Sequence, residues 1–471
     1  MIVKKIFSNL PITLQNQMFT GYGYLTKKKR YSGNFKKYLR QLSETEWFDE
    51  KAIENYQNEK LLEIIQKSKS VPFYQEFYKG IDLDSIKTKE DLTKLPILEK
   101  SQLKKNPAKF ISTDYKIKDL YYNLTSGTTG TPLKLYFTKD GMKFQWATFW
   151  RHRKRFGFNL GDKFIMFGAR LPILNKSNKE FWRVNKAINQ HYVSSYEIKE
   201  SNFMYLIEYM NKEKFDFIVG YPSAVYNLVS LMKKNNIKLD YTPKYYFSAS
   251  DVLLPIYEKT ISEYLGCKVT DFYGSAEFCG NFSRCENGKY HLDFESGIVE
   301  FLDIPGNENS DYKQMVFTGI SNFAMPLIRY NIGDYAKVSK EKCSCGRSSI
   351  IVDRIEGRTE DYIFTPDGRA VIGMNQAFEW TDKILEAQII QDEIEKITVK
   401  IVKEPQYTSK DESILLSEIR SRVGDEIKIT LSYVDNIPAF KNGKKRLVVS
   451  SLKSNDKGIN ELKNNIARND L

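Results

Sequence analysis

Between residues 163 and 274 four short apolar runs recur: 163-KFIMFG-168, 216-DFIVGY-221, 245-YYFSAS-250 and 268-KVTDFYG-274. Each is too short for a helix and is bounded by turn residues, so each reads as a buried strand. Helical patterns lie between them, such as 222-PSAVYNLVSLMKKNN-236, which has Pro near its first turn. Strand and helix in alternation predict an α/β domain with a largely parallel sheet, extending from about residue 120 to 355. In such sheets ligands bind in the loops that follow the carboxyl ends of the strands.

The flanks read differently. Residues 1 to about 115 look helical and charged; in 55-NYQNEKLLEIIQKSKSV-71, Leu61, Leu62, Ile64 and Ile65 recur at helical spacing. Near residue 357 the pattern changes again. Strand-like 386-EAQIIQ-391 and 396-KITVKIV-402, helix-like 410-KDESILLSEIRSRVG-424 and strand-like 427-IKITLSYV-434 make a small α+β unit. The Gly- and charge-rich 354-RIEGRTEDYIFTPDGRA-370 suits a linker. At 471 residues the chain exceeds one ordinary core. The expected division is 1–357, with 1–115 as a mainly helical lead-in, and 358–471.

Composition excludes several classes. A 41% hydrophobic content with 14% aromatics is that of a folded globular protein. No stretch approaches the roughly 20 apolar residues of a membrane helix, so no integral membrane segment is expected. The apolar run in 1-MIVKKIFSNLPITL-14 is short and broken by Asn9 and Pro11, so it is not read as a signal peptide, and a cytoplasmic location is expected. Contact of this basic, partly apolar N-terminus with a membrane surface is a weaker reading. The net charge of +13 is mostly Lys interspersed with acids and favours anionic substrates such as nucleotides. Specific nucleic-acid binding is not expected, since 27-KKKR-30 is short and no recognition motif accompanies it. Five cysteines, an odd number, argue against a disulfide framework.

Five stretches carry chemistry. The Ser/Thr/Gly loop 124-LTSGTTGTP-132 exposes amides and hydroxyls suited to phosphate oxygens, or is a plain turn. It lacks the GK[ST] ending of a Walker loop. The loop 271-DFYGSAEFCG-280 follows a strand; Tyr273 could stack on a base and Glu277 could hold a divalent cation, or be an ordinary hydrogen-bonded Glu. In 329-RYNIGDYAKV-338, Asp334 suits paired ribose hydroxyls, or is a turn residue. The last two are 357-GRTED-361 and the Lys-rich 438-PAFKNGKKRLVV-449.

In this order the stretches resemble the acyl-adenylate-forming enzymes. The fit is best to their phenylacetate–coenzyme A ligase branch, in particular its capsular-polysaccharide-associated, CapK-like members. The resemblance spans nearly the whole chain and includes 72-PFYQEFYKG-80 and 90-EDLTKLPILEK-100. It implies a large multi-sheet α/β adenylate-forming domain with a small, mobile α+β C-terminal lid. It also implies a two-step reaction. A carboxylate attacks the α-phosphate of ATP and releases pyrophosphate; the acyl group then passes to coenzyme A, an amine or a carrier. A carboxylate ionised at neutral pH needs no general base, only positioning and neutralised phosphate charge.

By position, the resemblance assigns Ser126, Gly127, Thr128, Thr129 and Gly130 to the β- and γ-phosphates. Tyr273, with Gly274 and Ser275, lies against adenine, and the 248-SASD-251 loop, with Ser250 and Asp251, lies on its other side. Glu277 binds Mg²⁺, Asp334 the ribose, and Arg358 assists. Lys444 reaches the α-phosphate, with Lys445 as the neighbouring alternative, and Glu360 falls at the hinge. Ala276 stands where the family has Ser or Thr, Lys134 is the lysine nearest the first loop, and Glu360 replaces the usual Asp or Lys. These departures motivate a rival reading, a nucleotide-binding scaffold in polysaccharide assembly with reduced catalysis. Arg170, in the stretch expected to line the acyl pocket, could meet a polar acid.

Three of the cysteines, Cys285, Cys343 and Cys345, go with His291 in 285-CENGKYH-291 and 343-CSCG-346. A Cys₃His set suits structural, tetrahedral zinc, against a reading as free thiols and a hydrogen-bonded His. Cys267 and Cys279 are expected to be core thiols, and His152 and His191 structural.

Overall fold

The computed structural model describes residues 7, 10–124, 133–168, 179–250, 253, 255–303, 312–356, 363–366, 370–371, 374–378, 380, 383–437 and 447–452. The lead-in is helical: α1 (Ile12–Tyr31), α2 (Phe35–Thr45), α3 (Glu50–Ser68), α4 (Pro72–Phe77) and α5 (Lys100–Lys105). Asp49 caps α3 by accepting the Ala52 N–H at 2.8 Å. That helix buries Ile53, Leu61, Ile64 and Ile65, whereas Leu62 is exposed, because the apolar stripe is narrower than the run of aliphatics.

Strands β1 (Tyr121–Leu124) and β2 (Lys134–Phe137) form an antiparallel hairpin closed by Leu124 opposite Lys134, so the Ser/Thr/Gly segment is its connection. Helix α6 (Lys139–Arg155), capped by Thr138, leads into the main sheet. Its strands are β3 (Phe164–Gly168), β4 (Trp182–Asn185), β5 (Gln190–Ser194), β6 (Phe217–Gly220), β7 (Tyr245–Ser248) and β8 (Lys268–Tyr273). They continue as β9 (Phe282–Arg284), β10 (Tyr290–Leu292), β11 (Gly297–Leu302), β12 (Tyr312–Gly319), β13 (Tyr330–Val338) and β14 (Ile351–Glu356). The twelve strands lie in the order β11-β12-β13-β14-β10-β9-β8-β7-β6-β3-β5-β4.

The sheet changes character at β8. Strands β5, β3, β6, β7 and β8 are parallel. Helices α7 (Phe203–Glu213), α8 (Pro222–Lys234) and α9 (Pro255–Leu265) make the crossovers before β6, β7 and β8. From β9 onward neighbours are antiparallel. The expectation of a largely parallel sheet to residue 355 therefore holds only for the first half. Among the described residues the connections after β9 carry no crossover helix, and antiparallel pairing is what such connections allow.

Beyond β14, β15 (Ile363–Phe364) and β16 (Ala370–Val371) pair antiparallel. Strands β17 (Ile384–Glu393), β18 (Lys396–Lys403), β19 (Lys428–Tyr433) and β20 (Val448–Ser450) form a second sheet in the order β19-β18-β17-β20. Helix α10 (Ser409–Val423) lies between β18 and β19 and contributes Leu415, Ile419 and Val423 to a separate core with Ile389, Ile397 and Val399. Tyr196 of the larger unit packs against this core, with the Arg422 guanidinium 5.5 Å from its ring centre. Among the described residues no helix is long and apolar enough to cross a membrane.

Candidate functional site

The carboxyl ends of β6, β7 and β8 meet at one edge of the sheet. Gly220 has a φ of +137°, and a Cβ there would stand 2.0 Å from the Phe167 carbonyl oxygen, so the β3–β6 approach requires glycine. Beyond β7, Ser250 adopts a φ of +70°. Beyond β8 the chain turns through Gly274–Asn281 and returns as β9, with Tyr273 opposite Phe282.

This return loop is held tightly. Phe278 has a φ of +50°, uncommon for a bulky side chain. A Cβ at Gly297 would lie 1.9 Å from the Cys279 carbonyl oxygen, and one at Gly319 would lie 3.0 Å from the Cys279 Cα. The loop thus rests on bare backbone of β11 and β12. It buries Glu277 to 6% exposure and leaves the Ser275 hydroxyl buried without a hydrogen-bond partner among the described residues. Ala276 packs against the apolar core.

Asp334 reaches the loop from β13, whose register with β12 shifts between Gln314 and Val316. Between these paired positions one residue of β12, Met315, faces three of β13, Ile332, Gly333 and Asp334, a bulge in which Gly333 has a φ of +85°. The bulge turns Asp334 toward Tyr273, whose hydroxyl donates to Asp334 Oδ2 at 2.7 Å. Desolvation, and then the Asp334 carboxylate, push the Tyr273 phenol well above its ordinary value, so it remains a donor.

Glu277 has a partner that the motifs did not point to. Lys100 Nζ donates to Glu277 Oε1 at 2.8 Å, and the Tyr330 hydroxyl lies 3.3 Å from the same oxygen. The lead-in places that lysine. Leu98 bridges Tyr330: the Leu98 N–H donates to the Arg329 carbonyl and the Asn331 N–H to the Leu98 carbonyl, each at 2.9 Å. Glu99 and Gln102 form a capping box that starts α5 at Lys100. The E-x-x-Q spacing was a readable helix start; its register against a strand 230 residues on was not.

Of the residues expected at the site, Tyr273, Gly274, Ser275, Glu277 and Asp334 lie on the β8–β9 loop and the facing bulge, and Ser250 follows the adjacent β7. Ser126, Gly127, Thr128, Thr129, Gly130, Arg170, Asp251, Arg358, Glu360, Lys444 and Lys445 lie outside the described residues. Lys134 is exposed on β2, its Nζ 5.5 Å from the Tyr122 ring centre.

A second cluster sits farther along the antiparallel half. Cys285 follows β9, His291 lies on β10, and Cys343 and Cys345 come from the β13–β14 connection. Their four ligand atoms lie within 4.8 Å of one another. Cys285 Sγ is 3.7 Å from Cys343 Sγ, and Cys345 Sγ is 3.3 Å from His291 Nε2. Burial pushes His291 down to about 4, so the ring is neutral and its nitrogen can donate a lone pair to a metal. Burial raises the Cys345 thiol, but hydrogen bonds from Arg347 and Cys343 outweigh it and hold the group below the ordinary value. Three thiols and an imidazole at this spacing match the donor set of a closed zinc site. Arg347 links the cluster to the lead-in through Glu46 and stands 4.6 Å from the Trp47 ring centre.

Comparison with known proteins places the chain among the following relatives. Residues 363–451 match the family model of the CapK C-terminal domain. The chain is 27% identical over 457 residues to Protein CapK of Staphylococcus aureus, covering 95% of this chain and 99% of that protein. It is 23% identical over 425 residues to the phenylacetate-coenzyme A ligase of Thermus thermophilus, covering 80% and 92%. Among solved structures, 2-hydroxyisobutyryl-CoA ligase shares the fold. With 2-HIB-AMP and CoA in the thioesterification state it matches at a TM-score of 0.56 and 16% identity, over 89% of this chain and 93% of that one. In the postadenylation state the TM-score is 0.52 at 15% identity over the same shares.

Proposed function

Because the chain belongs to the CapK-like branch of the adenylate-forming enzymes, we propose that it is an ATP-dependent, AMP-forming carboxylate ligase. The observation that carries this reading is the bonded pair Tyr273–Asp334 beside buried Glu277, at the carboxyl edge of the parallel strands. An aromatic face next to a carboxylate suits adenine and ribose hydroxyls together. Tyr273 donates to Asp334 Oδ2, which orients the carboxylate assigned to the sugar hydroxyls.

The chemistry follows from charge. The acid is ionised at neutral pH and attacks the α-phosphate directly, so the protein's task is to hold ATP in line and balance its phosphates. The Ser126–Gly130 loop is assigned to the β- and γ-phosphates, and Lys444 to the α-phosphate and the incoming carboxylate. Arg358 assists at the nucleotide, and Ser250 and Asp251 border adenine. Mg²⁺, when bound, neutralises phosphate charge; Glu277 is a hard oxygen donor suited to it. Lys100, beside Glu277, adds a positive charge on the same side. The unpartnered Ser275 hydroxyl is the available substitute for the one missing at Ala276.

The units 1–357 and 358–471 are proposed as the adenylating body and a lid that turns at Glu360. The acyl acceptor is coenzyme A or an amine, in surface polysaccharide biosynthesis. Cys285, His291, Cys343 and Cys345 hold a structural zinc that ties β9 and β10 to the β13–β14 connection. The test is pyrophosphate exchange into ATP over a panel of carboxylic acids. Exchange that depends on one acid class, with the KM for ATP raised at least about tenfold by Asp334→Ala, supports the reading. ATP binding without exchange for any acid overturns it in favour of a scaffold.

A further inference from the structure

Helix α1 turns several polar side chains toward the protein and several apolar ones outward. The side that faces the protein is largely polar and serves the outer edge of β4, the last strand of the main sheet. Asn16 Oδ1 accepts the Val184 N–H at 2.9 Å, and Thr20 Oγ1 accepts the Lys186 N–H at 3.1 Å and donates to the Val184 carbonyl at 3.3 Å. Buried Gln15 accepts from Arg183 Nε at 2.5 Å, and Lys27 Nζ donates to the Ala187 carbonyl at 2.9 Å. Phe19, edge-on to Tyr192, and Tyr31, against Phe35, Trp146 and Trp150, add apolar contacts. The helix thus occupies an edge that would otherwise be open to strand addition.

The outward side carries the apolar groups. Leu14, Met18, Tyr22 and Leu25 follow one another at helical spacing and are 44%, 43%, 63% and 70% exposed; Tyr24 flanks them at 59%. Exposed Lys28 continues the stripe by one turn. The charge along the segment itself has one sign. Residues 1–43 contain nine Lys and Arg and no Asp or Glu, the first acid being Glu44. An apolar stripe with tyrosines, continued by exposed Lys28 in a segment whose only charges are cations, is complementary to a layer with an apolar interior and an anionic surface. A second copy of this face would bring the same positive charges together, which opposes self-association.

We infer that α1 is a peripheral membrane anchor, laying its Leu14–Met18–Tyr22–Leu25 face into the headgroup region of an anionic lipid bilayer. The sheet edge and the anchor are then two faces of one helix. Binding needs neither ATP nor the adenylation site, so it is independent of the proposed reaction.

Flotation of the full chain with phosphatidylcholine vesicles, with and without about one third phosphatidylglycerol, tests this. Binding is expected to the anionic vesicles and to be at least about tenfold weaker on neutral ones. Lys28→Gln should weaken it about fivefold, and the triple variant Leu14→Gln, Met18→Gln, Leu25→Gln at least about tenfold. These side chains point to solvent, so an unchanged melting temperature will show that the variants fold. Equal binding to neutral vesicles, or binding untouched by the triple variant, overturns the inference. So does a concentration-dependent dimer that the triple variant abolishes without any vesicle binding, which assigns the face to a second copy.

Discussion

Lys100 and Glu277, 177 residues apart, form an ion pair of 2.8 Å at the edge of the main sheet. The Glu277 side chain is 5% exposed and that of Lys100 22%, so the carboxylate depends on this partner and on Tyr330. A cation arriving with ATP must share or displace the lysine. Glu277→Gln keeps an acceptor for Lys100 and should leave the melting temperature nearly unchanged. It should cut acid-dependent pyrophosphate exchange by at least about 100-fold and raise the Mg²⁺ concentration needed. Lys100→Met should destabilise the fold by about 1–3 kcal/mol, since it takes a cationic partner from a buried carboxylate. Exchange at the parent rate in Glu277→Gln would remove Glu277 from the site.

Two glycines give opposite expectations. Gly297→Ala drives a methyl into the Cys279 carbonyl 1.9 Å away and must move the loop that carries Glu277. A loss of about 2–3 kcal/mol and reduced exchange are expected. Gly21, on the exposed face of α1, has nothing within 4 Å of an added Cβ. Gly21→Ala should stabilise by up to ~1 kcal/mol in denaturant unfolding.

Metal analysis of the purified chain should give about one zinc per molecule. Cys343→Ser should lose the metal and lower the melting temperature by at least about 5 °C, whereas Cys267→Ala, in a separate core, should retain it. Well under one zinc in the parent chain would exclude the site.

Stability should fall with acid in a defined window. His191, bonded to the Tyr209 hydroxyl at 2.5 Å, is pushed down to about 4 by burial; nearby Lys163 lowers it further and Glu213 opposes. Burial holds His152 well below its ordinary value too. The unfolded chain therefore takes up protons first, from about pH 6.5 downward, so stability is full above that pH and is lost toward pH 4. Denaturant midpoints across this range should show it. His191→Gln should flatten the decline by ~1–2 kcal/mol; an unchanged slope would mean the ring is already charged in the folded state.

What the sequence made legible was local. The strands at 163–168, 216–221, 245–250 and 268–274 announced themselves by short apolar runs, and Glu277, Asp334 and the cysteines by residue type within a spacing. The rest depends on register. Lys100 became a partner of Glu277 only through the Leu98–Tyr330 bridge. Asp334 met Tyr273 through a bulge of β13 that Gly333 hints at but does not locate. The antiparallel half escaped reading because the direction of β9 to β14 is set by their connections rather than by their own composition. The buried ion pairs from Arg151 to Asp293 and Glu295, at 2.8 and 2.6 Å, were equally invisible, since each charge alone reads as surface.

The central claim is that the acid attacks the α-phosphate of ATP, and oxygen tracing tests it most directly. With a carboxylic acid labelled with heavy oxygen in its carboxylate and an acceptor present, one labelled oxygen should appear in AMP and none in pyrophosphate. Label in inorganic phosphate with ADP as the nucleotide product would place the attack at the γ-phosphate and contradict the account.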